Sequence, residues 1–267
     1  MKLQNWFAFL LTFTIGITVG AQYRFVYSLD FKIDSTKRNQ VQQEIFNLDY
    51  INGESIFYGQ NFAKLDSIIS VGGSGNRQNI ALPKLGYIVT KNLPKKTLQF
   101  AEPIGLTGYL VDEPRQIRWK LLSDTKEVDK HSLQKATADF AGRHWTAWFA
   151  KDIQVADGPY KFSGLPGLIY SLADDAGDYI FELRAIEKID KLYNIKSFEK
   201  LGIKVVSVDY KKFSDRKTKF EKHPEQFYYD FANAAGLELS AHDIRTLADV
   251  ASKKQKANNN PIELSAE

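Results

Sequence analysis

The sequence predicts an α+β fold, in which a curved antiparallel sheet is followed by helices near the C-terminus. Between residues 22 and 190, apolar and polar residues alternate with a period of two in many short segments, which is typical of half-buried strands. From about residue 209 to residue 257 the apolar residues recur at helical spacing. Analogy with exported lipid-carrier folds further suggests that the sheet has the shape of a half-barrel.

The first 21 residues predict a signal peptide. Lys2 supplies a positive charge, an uncharged apolar run follows from residue 6 to residue 19, and Gly20 and Ala21 are small, as a signal peptidase requires. The run is shorter than the roughly 20 residues of a membrane-spanning helix, which makes an uncleaved anchor the weaker alternative. We therefore expect cleavage after Ala21 and a periplasmic or secreted protein.

The composition excludes several classes of protein. Hydrophobic residues make up 43% of the chain and charged residues 25%, which is ordinary for a globular protein and argues against a disordered chain. There is no Cys, so disulfides, thiolate metal sites and a Cys nucleophile are excluded. We expect one domain over residues 22–257 and a frayed tail over residues 258–267.

Strands are predicted first. Residues 23–31 alternate between apolar and polar side chains, and residues 45–51 and 54–58 flank Asn52 and Gly53. Asn-Gly is a strong hairpin signal because a type I′ turn needs a positive φ at both central residues. Glycines in residues 72–76 predict a mobile loop. The same alternation and turn signals predict further strands at residues 85–90, 97–101, 117–122, 143–150, 167–173 and 179–189.

Helices are predicted in the last quarter of the chain. Pro224 suits the first position of a helix, and Gly236 suits the residue just after its end. Ser240 and Asp243 have the spacing of a capping box at the start of a second helix.

One central motif is predicted to be structural. Residues 158–169 include two turn signals, one that begins at Asp157 (Asp157-Gly158-Pro159) and Leu165-Pro166-Gly167-Leu168, and the latter has Pro and Gly where a type II turn needs them. At least one glycine should have a positive φ. The residues assigned to this structural role are Gly158, Pro159, Gly164, Leu165, Pro166, Gly167, Leu168 and Ile169.

This motif resembles the signature of the GLPGLI family of exported bacterial proteins. Further matching residues occur in the family's order: Trp119, Lys135-Ala136, Gly142-Arg143, Trp148, Asp152-Ile153, Gly158 to Phe162, and Asn260 to Leu264. The resemblance implies a protein of the Gram-negative cell envelope, in a family mostly of unknown function. The family often has a Cys at the position of Leu133, so any redox or metal role of that Cys is absent here.

The sequence predicts no catalytic residues, no metal site and no cofactor. The four His form no ligand pair, and no phosphate-binding loop precedes a helix. Residues 197–200 match Ser-x-x-Lys but lack the partner motifs of that pattern. His144 with Asp152 is the one pair that could act as a base and its orienting group, which gives the alternative of an envelope hydrolase.

The aromatic residues suggest a binding surface. Aromatic side chains on alternating strands are most often core, but on a concave sheet they can hold a lipid tail, a glycan or a peptide. We therefore predict a non-enzymatic binding or assembly module that holds an apolar ligand or a protein partner. Its candidate binding residues are Trp119, Arg143, Trp145, Trp148, Tyr160 and Phe162.

Positive charge is concentrated in residues 185–222, which carry 11 Lys+Arg against 6 Asp+Glu. In an exported protein such a segment predicts weak contact with an anionic membrane surface rather than with nucleic acid. A solvated helix face is the alternative.

Overall fold

The computed structural model describes residues 22–70, 84–194 and 205–264. The predicted signal peptide, the predicted loop at residues 72–76 and the Ser-x-x-Lys match at residues 197–200 lie outside the described residues.

Within these described residues, twelve strands form one sheet in the order β12-β6-β5-β4-β3-β2-β1-β11-β10-β9-β8-β7. The strands are β1 (Gln22–Phe31), β2 (Gln42–Ile51), β3 (Glu54–Gly59), β4 (Ile88–Asn92), β5 (Thr97–Ile104), β6 (Thr107–Asp112), β7 (Lys120–Val128), β8 (His131–Phe140), β9 (Arg143–Ala150), β10 (Leu168–Asp174), β11 (Tyr179–Lys188) and β12 (Val205–Val208). The helices are α1 (Gln60–Ser70), α2 (Tyr210–Lys222), α3 (Pro224–Ala235) and α4 (Ala241–Ala257).

The predicted fold class is wrong. The described chain is mostly β, and its sheet is mixed rather than antiparallel, because β12 pairs in parallel with β6. Within the described residues the sheet does not close into a barrel. In the part of the chain that the structure describes, three short helices do follow the sheet, but α1 lies between β3 and β4. The parallel pairing joins residues about a hundred positions apart, and a local pattern of alternation carries no information about such a crossover.

Several local predictions are confirmed. β2 and β3 form the hairpin about Asn52 and Gly53, which have φ values of 52° and 90°. β9 has the predicted bounds, and the strands predicted at residues 97–101 and 179–189 are present as β5 and β11, which pair with β4 and β10. One strand begins later than predicted, since Trp119 precedes β7 rather than lying inside it.

The helix ends also agree with the sequence. Pro224 begins α3, and Gly236 ends it with a φ of 64°. Ser240 and Asp243 form the predicted capping box at the start of α4. Because α3 and α4 pack on each other around Tyr228 and Ile244, they form a small apolar cluster apart from the main core. Among the described residues, none of the helices is both long and apolar enough to cross a bilayer.

The sheet has two unlike faces. The inner face is the side of the sheet on which Phe25, Tyr27 and Phe57 are fully buried, and it holds the main core. We call outer face the opposite side, where α1 and residues 190–194 cover the apolar residues Ile56, Tyr58 and Ile88.

Candidate functional site

The sequence motif covers the inner face of the sheet. Residues 157–169, which we call the motif loop, place Phe162, Leu165, Leu168 and Ile169 in the main core. Tyr160 lies at a φ of 54° and is buried, which is an uncommon conformation for a bulky residue. Such a conformation persists only where the surroundings enforce it.

A buried ion pair fixes the loop to the sheet. Lys91 on β4 lies 2.5 Å from the carboxylate of Asp157, and its Nζ donates to the carbonyl oxygen of Gly158 at 2.7 Å. The Ser55 hydroxyl donates to the other Asp157 oxygen at 2.6 Å. Burial lowers the pKa of Lys91, and the charge of Asp157 acts against this. Since both charges are paired and hydrogen-bonded, the loop is anchored at its first residues.

The glycines of the loop provide a positive φ, space for a close contact, or both. Gly164 and Gly167 have φ values of 91° and 151°, which confirms the prediction of a positive φ. A Cβ on Gly167 would lie 2.1 Å from the carbonyl oxygen of Ala150, and one on Gly158 would lie 2.6 Å from Ile169. The predicted type II turn is not formed, because the Gly167 N–H donates to the Leu165 oxygen and makes a γ-turn about Pro166.

Lys161, in the middle of the loop, joins a cluster of four charged residues. Its Nζ lies 2.7 Å from Glu113 and 2.6 Å from Glu263, and only 2% of its side chain is exposed. Arg115 bonds to the same two carboxylates, at 2.7 Å to Glu113 and 2.6 Å to Glu263. We call these four residues the charged cluster. Within it, each carboxylate faces two cations.

The cluster controls the ionisation of its acids. Burial alone would raise the pKa of Glu263, but the charges of Lys161 and Arg115 and their hydrogen bonds outweigh it and lower the pKa to about 2. The pKa of Glu113 is lowered as well, by its bonds to Arg115 and Lys161 acting against burial. Both carboxylates are therefore charged at neutral pH.

Glu263 belongs to an extended segment that Arg143 holds. We call residues 260–264 the C-terminal segment. The guanidinium of Arg143 donates to the carbonyl oxygens of Pro261 at 2.6 Å and Ile262 at 3.0 Å, and to the side-chain oxygen of Asn260 at 2.7 Å. Its remaining nitrogen bonds to Asp174 at 2.7 Å. Arg143 is buried, so its donors need these acceptors from the protein itself.

Other groups also bind the C-terminal segment. The Tyr179 hydroxyl donates to the Asn260 carbonyl oxygen at 2.7 Å, and the Asn260 side chain donates to the Lys32 carbonyl oxygen at 2.7 Å. Ile262 is buried in the main core, and the Leu264 N–H donates to the Ala141 oxygen at 2.8 Å. The described part of the predicted frayed tail is thus packed against the inner face.

The five side chains that hold the segment form what we call the segment site: Arg115, Arg143, Tyr160, Lys161 and Tyr179. Tyr160 contributes a bond from its hydroxyl to Glu263 at 2.6 Å. Burial, followed by the charge of Glu263, raises the pKa of Tyr160 well above its usual value, so its hydroxyl stays a donor. The site offers donors to main-chain carbonyls and cations to a carboxylate. This is the chemistry of polypeptide recognition.

The candidate binding residues fall into three places. Arg143 and Tyr160 lie in the segment site, while Trp145 and Phe162 are fully buried core residues. Trp119 is half-buried and donates to the Ser163 oxygen at 2.9 Å. Trp148 is half-buried on the outer face, with the Lys126 amine 4.4 Å from its ring centre. The aromatic residues therefore do not line one open surface.

Two clefts open near Tyr193, and neither is lined by Trp145 or Phe162. They have volumes of about 920 Å³ and about 450 Å³. Arg24 and Asp190 line the larger cleft, and Glu54 and Gln99 line the smaller one.

The structure separates the two residues of the hydrolase alternative. His144 bonds to Asp139 at 2.6 Å, and Asp152 bonds to His131 at 2.6 Å. In the described ranges, no cluster of three or more His, Asp or Glu side chains is placed to hold a metal ion.

The basic residues of α2 are mostly paired with acids. Lys211 bonds to Asp215 at 2.9 Å and Lys217 to Glu102 at 2.8 Å. Lys219 bonds to Asp230 on α3 at 2.6 Å. These pairs reduce the free positive charge that the sequence places in this region.

Sequence reasoning missed most of the site. It did not select Lys161, Arg115, Glu113 or Glu263. A signal was present at Lys161, whose charge stands between two aromatic residues of an otherwise apolar motif. The partners could not be identified because they lie about fifty and a hundred positions away.

A family model and several solved structures match this chain. A family model described as a protein of unknown function (Porph_ging) matches residues 141–171. That stretch contains Arg143, Tyr160 and Lys161 of the segment site. The GLPGLI resemblance itself stays a prediction. No curated protein matches the chain.

Two solved structures share the fold. They are structures of PNGF-II in the P21 and C2 space groups, 13% and 14% identical to this chain, and each has a TM-score of 0.53. The alignments cover 75% of this chain and 34% of the matched chain, so this chain spans about a third of the length of those proteins. At this identity the likeness concerns the fold alone.

Proposed function

We propose that this protein is an exported, non-enzymatic binding or assembly module of the cell envelope. Its partner is a protein, held on the inner face of the sheet at the segment site. Export is proposed from the N-terminal signal pattern, and the mature protein would be periplasmic or secreted.

One observation carries the proposal. A buried arginine, Arg143, gives three hydrogen bonds to an extended polypeptide segment, two of them to main-chain oxygens. A buried donor left without an acceptor costs about 1–3 kcal/mol, and more when it is charged. In the folded protein the donors of Arg143 therefore need acceptors, which a polypeptide or a ligand with the same acceptor groups can supply.

The chemistry of the site favours a protein over an apolar ligand. A lipid tail offers no acceptor to Arg143 and no carboxylate to Lys161 or Arg115. The aromatic residues that could hold such a tail, Trp145 and Phe162, are already buried by the chain itself. Contact of the basic segment 185–222 with anionic membranes stays a prediction.

The test is purification of the full-length protein from its native host under mild extraction, followed by native mass spectrometry. We expect a stoichiometric protein partner. Glu263→Gln loosens the chain's own segment and should increase the bound fraction, since the partner competes with that segment. Arg143→Lys keeps the charge but loses the forked geometry, and should decrease the bound fraction.

Leu264→Ala serves as the matched control, because the Leu264 side chain is 53% exposed and should not affect the partner. A protein that is free of partners in every preparation contradicts the proposal. So does a partner whose amount is the same for all three variants. A co-purifying lipid in place of a protein would support the apolar-ligand alternative.

A further inference from the structure

We infer that the C-terminal segment is an intramolecular peptide ligand, and that the segment site accepts the same segment in trans from a second copy of this chain. The inference rests on the proposed function, because it takes the polypeptide-binding face and names a ligand for it. The ligand is an extended peptide with the order Asn-Pro-Ile-Glu.

The contacts have the form of peptide recognition rather than of ordinary chain packing. The main chain is bound at successive positions, with Tyr179 on the Asn260 oxygen, Arg143 on the Pro261 and Ile262 oxygens, and the Ala141 oxygen on the Leu264 N–H. Main-chain bonds of this kind supply affinity for any extended peptide, and side-chain pockets add specificity.

Three side chains of the segment would supply the specificity. Asn260 is recognised by hydrogen bonds to both polar atoms of its side-chain amide. The oxygen accepts from Arg143, and the nitrogen donates to the Lys32 carbonyl oxygen and to Asp178. Ile262 fills a place in the main core. Glu263 receives the Tyr160 hydroxyl, Lys161 and Arg115, each at 2.6 Å. Pro261 fixes its own φ and so limits the conformations of the free segment.

The connection to the rest of the chain permits exchange. The segment follows α4, and α4 packs on α3 in a cluster separate from the main core. Between α4 and the segment, the Asn259 side chain bonds to exposed groups of Ser35 and Asp34. A segment that is bound to the sheet but connected to it through α4, whose buried residues lie outside the main core, can be supplied by a second copy, as in domain swapping.

The experiment cuts the tether in the complete chain. A protease site is inserted after Ala257 in the full-length protein, the purified protein is cleaved, and the released segment is separated by gel filtration. A fluorescently labelled peptide of residues 258–264 is then titrated into the nicked protein, and its anisotropy is measured. We expect saturable binding, and no binding of the labelled peptide to the uncut protein at the same concentrations, since the tethered segment competes at a much higher effective concentration.

Peptide variants test the mode of binding. Glu263→Gln should weaken binding about tenfold or more, because charge-assisted hydrogen bonds are lost. Asn260→Ala should weaken it comparably. Leu264→Ala is the matched control and should bind within about twofold of the parent peptide.

Three outcomes overturn the inference. If the nicked protein loses its circular dichroism spectrum, the segment is part of the folding core and not an exchangeable ligand. If the nicked protein stays folded but does not bind the peptide, or binds the Glu263→Gln peptide as tightly as the parent, the site does not recognise the segment as described. If the peptide rebinds but no host partner is ever found, the proposed function fails while this inference stands. A host partner without rebinding gives the reverse result.

Discussion

The charged cluster and the basic face of α2 use the same residue types in opposite ways. In the cluster, the Lys161 side chain is 2% exposed and bonds to two carboxylates. On α2, the Lys219 side chain is 51% exposed and bonds to one. A buried charge without its partner is costly, whereas an exposed pair is screened by solvent and salt. The comparison teaches that burial, rather than the number of ion pairs, decides which charges hold this fold together.

The largest effect is expected for Lys161→Met. It leaves Glu113 and Glu263 with Arg115 as their one remaining cation in the cluster, and it also removes the ammonium that lies 3.6 Å from the Phe100 ring centre. Breaking a buried pair by removing one partner costs about 4 kcal/mol. Urea denaturation should show this as a lowered midpoint. A urea midpoint equal to that of the wild type would show that the buried charged cluster stabilises the fold no more than the exposed ion pairs of α2 do.

Gly167→Ala should cost somewhat less, about 3 kcal/mol, because the new Cβ would overlap the Ala150 carbonyl oxygen at 2.1 Å and the φ of 151° is strained for any side chain. Gly164→Ala is the matched control. It has a φ of 91° but meets no atom within 4 Å, so it should cost only about 1 kcal/mol. Thermal unfolding of both variants separates the cost of backbone strain from the cost of steric overlap between the new Cβ and its neighbours. Equal losses would show that the close approach to β9 contributes nothing.

Glu263→Gln should cost about 2 kcal/mol at pH 7, since the amide keeps an acceptor but loses the charge. The pKa of Glu263 is about 2 in the folded protein and about 4.3 when unfolded, so its contribution is complete above pH 4.3 and is lost as the pH falls toward 2. Urea midpoints of the two proteins should therefore converge between about pH 4.3 and pH 2. A constant difference over this range would contradict the described ion pairs.

The smallest effect is expected for Lys219→Met. Lys219 and Asp230 are both about half exposed, so their attraction is offset by solvation and by the lost freedom of two long side chains. We expect no measurable change in the urea midpoint, in either low or high salt. A loss comparable to that of Lys161→Met would show that the surface pairs support the helices as strongly as the buried cluster supports the loop.

Much of the local structure could be predicted from the sequence. The Asn52-Gly53 hairpin, the bounds of β9, and the caps of α3 and α4 all follow from residues that are neighbours in the chain. The bounds of the edge strand β7 could not be predicted correctly, since its side chains are mostly exposed and the alternation of apolar and polar residues is weak. The parallel pairing of β12 with β6 could not be predicted, because nothing in four residues of β12 specifies a partner about a hundred positions away.

The sequence by itself determined where the turns fall, that at least one glycine of the central motif must adopt a positive φ, and that this motif carries apolar residues that need burial. These follow from the conformational limits and hydrophobicity of neighbouring residues. Only the tertiary structure decided that Arg143 would hold residues 260–264 and that Lys161 would meet Glu113 and Glu263. A charged residue within an apolar motif indicates a buried charge that needs a partner. The identity of that partner depends on which distant segment the sheet brings to the same place.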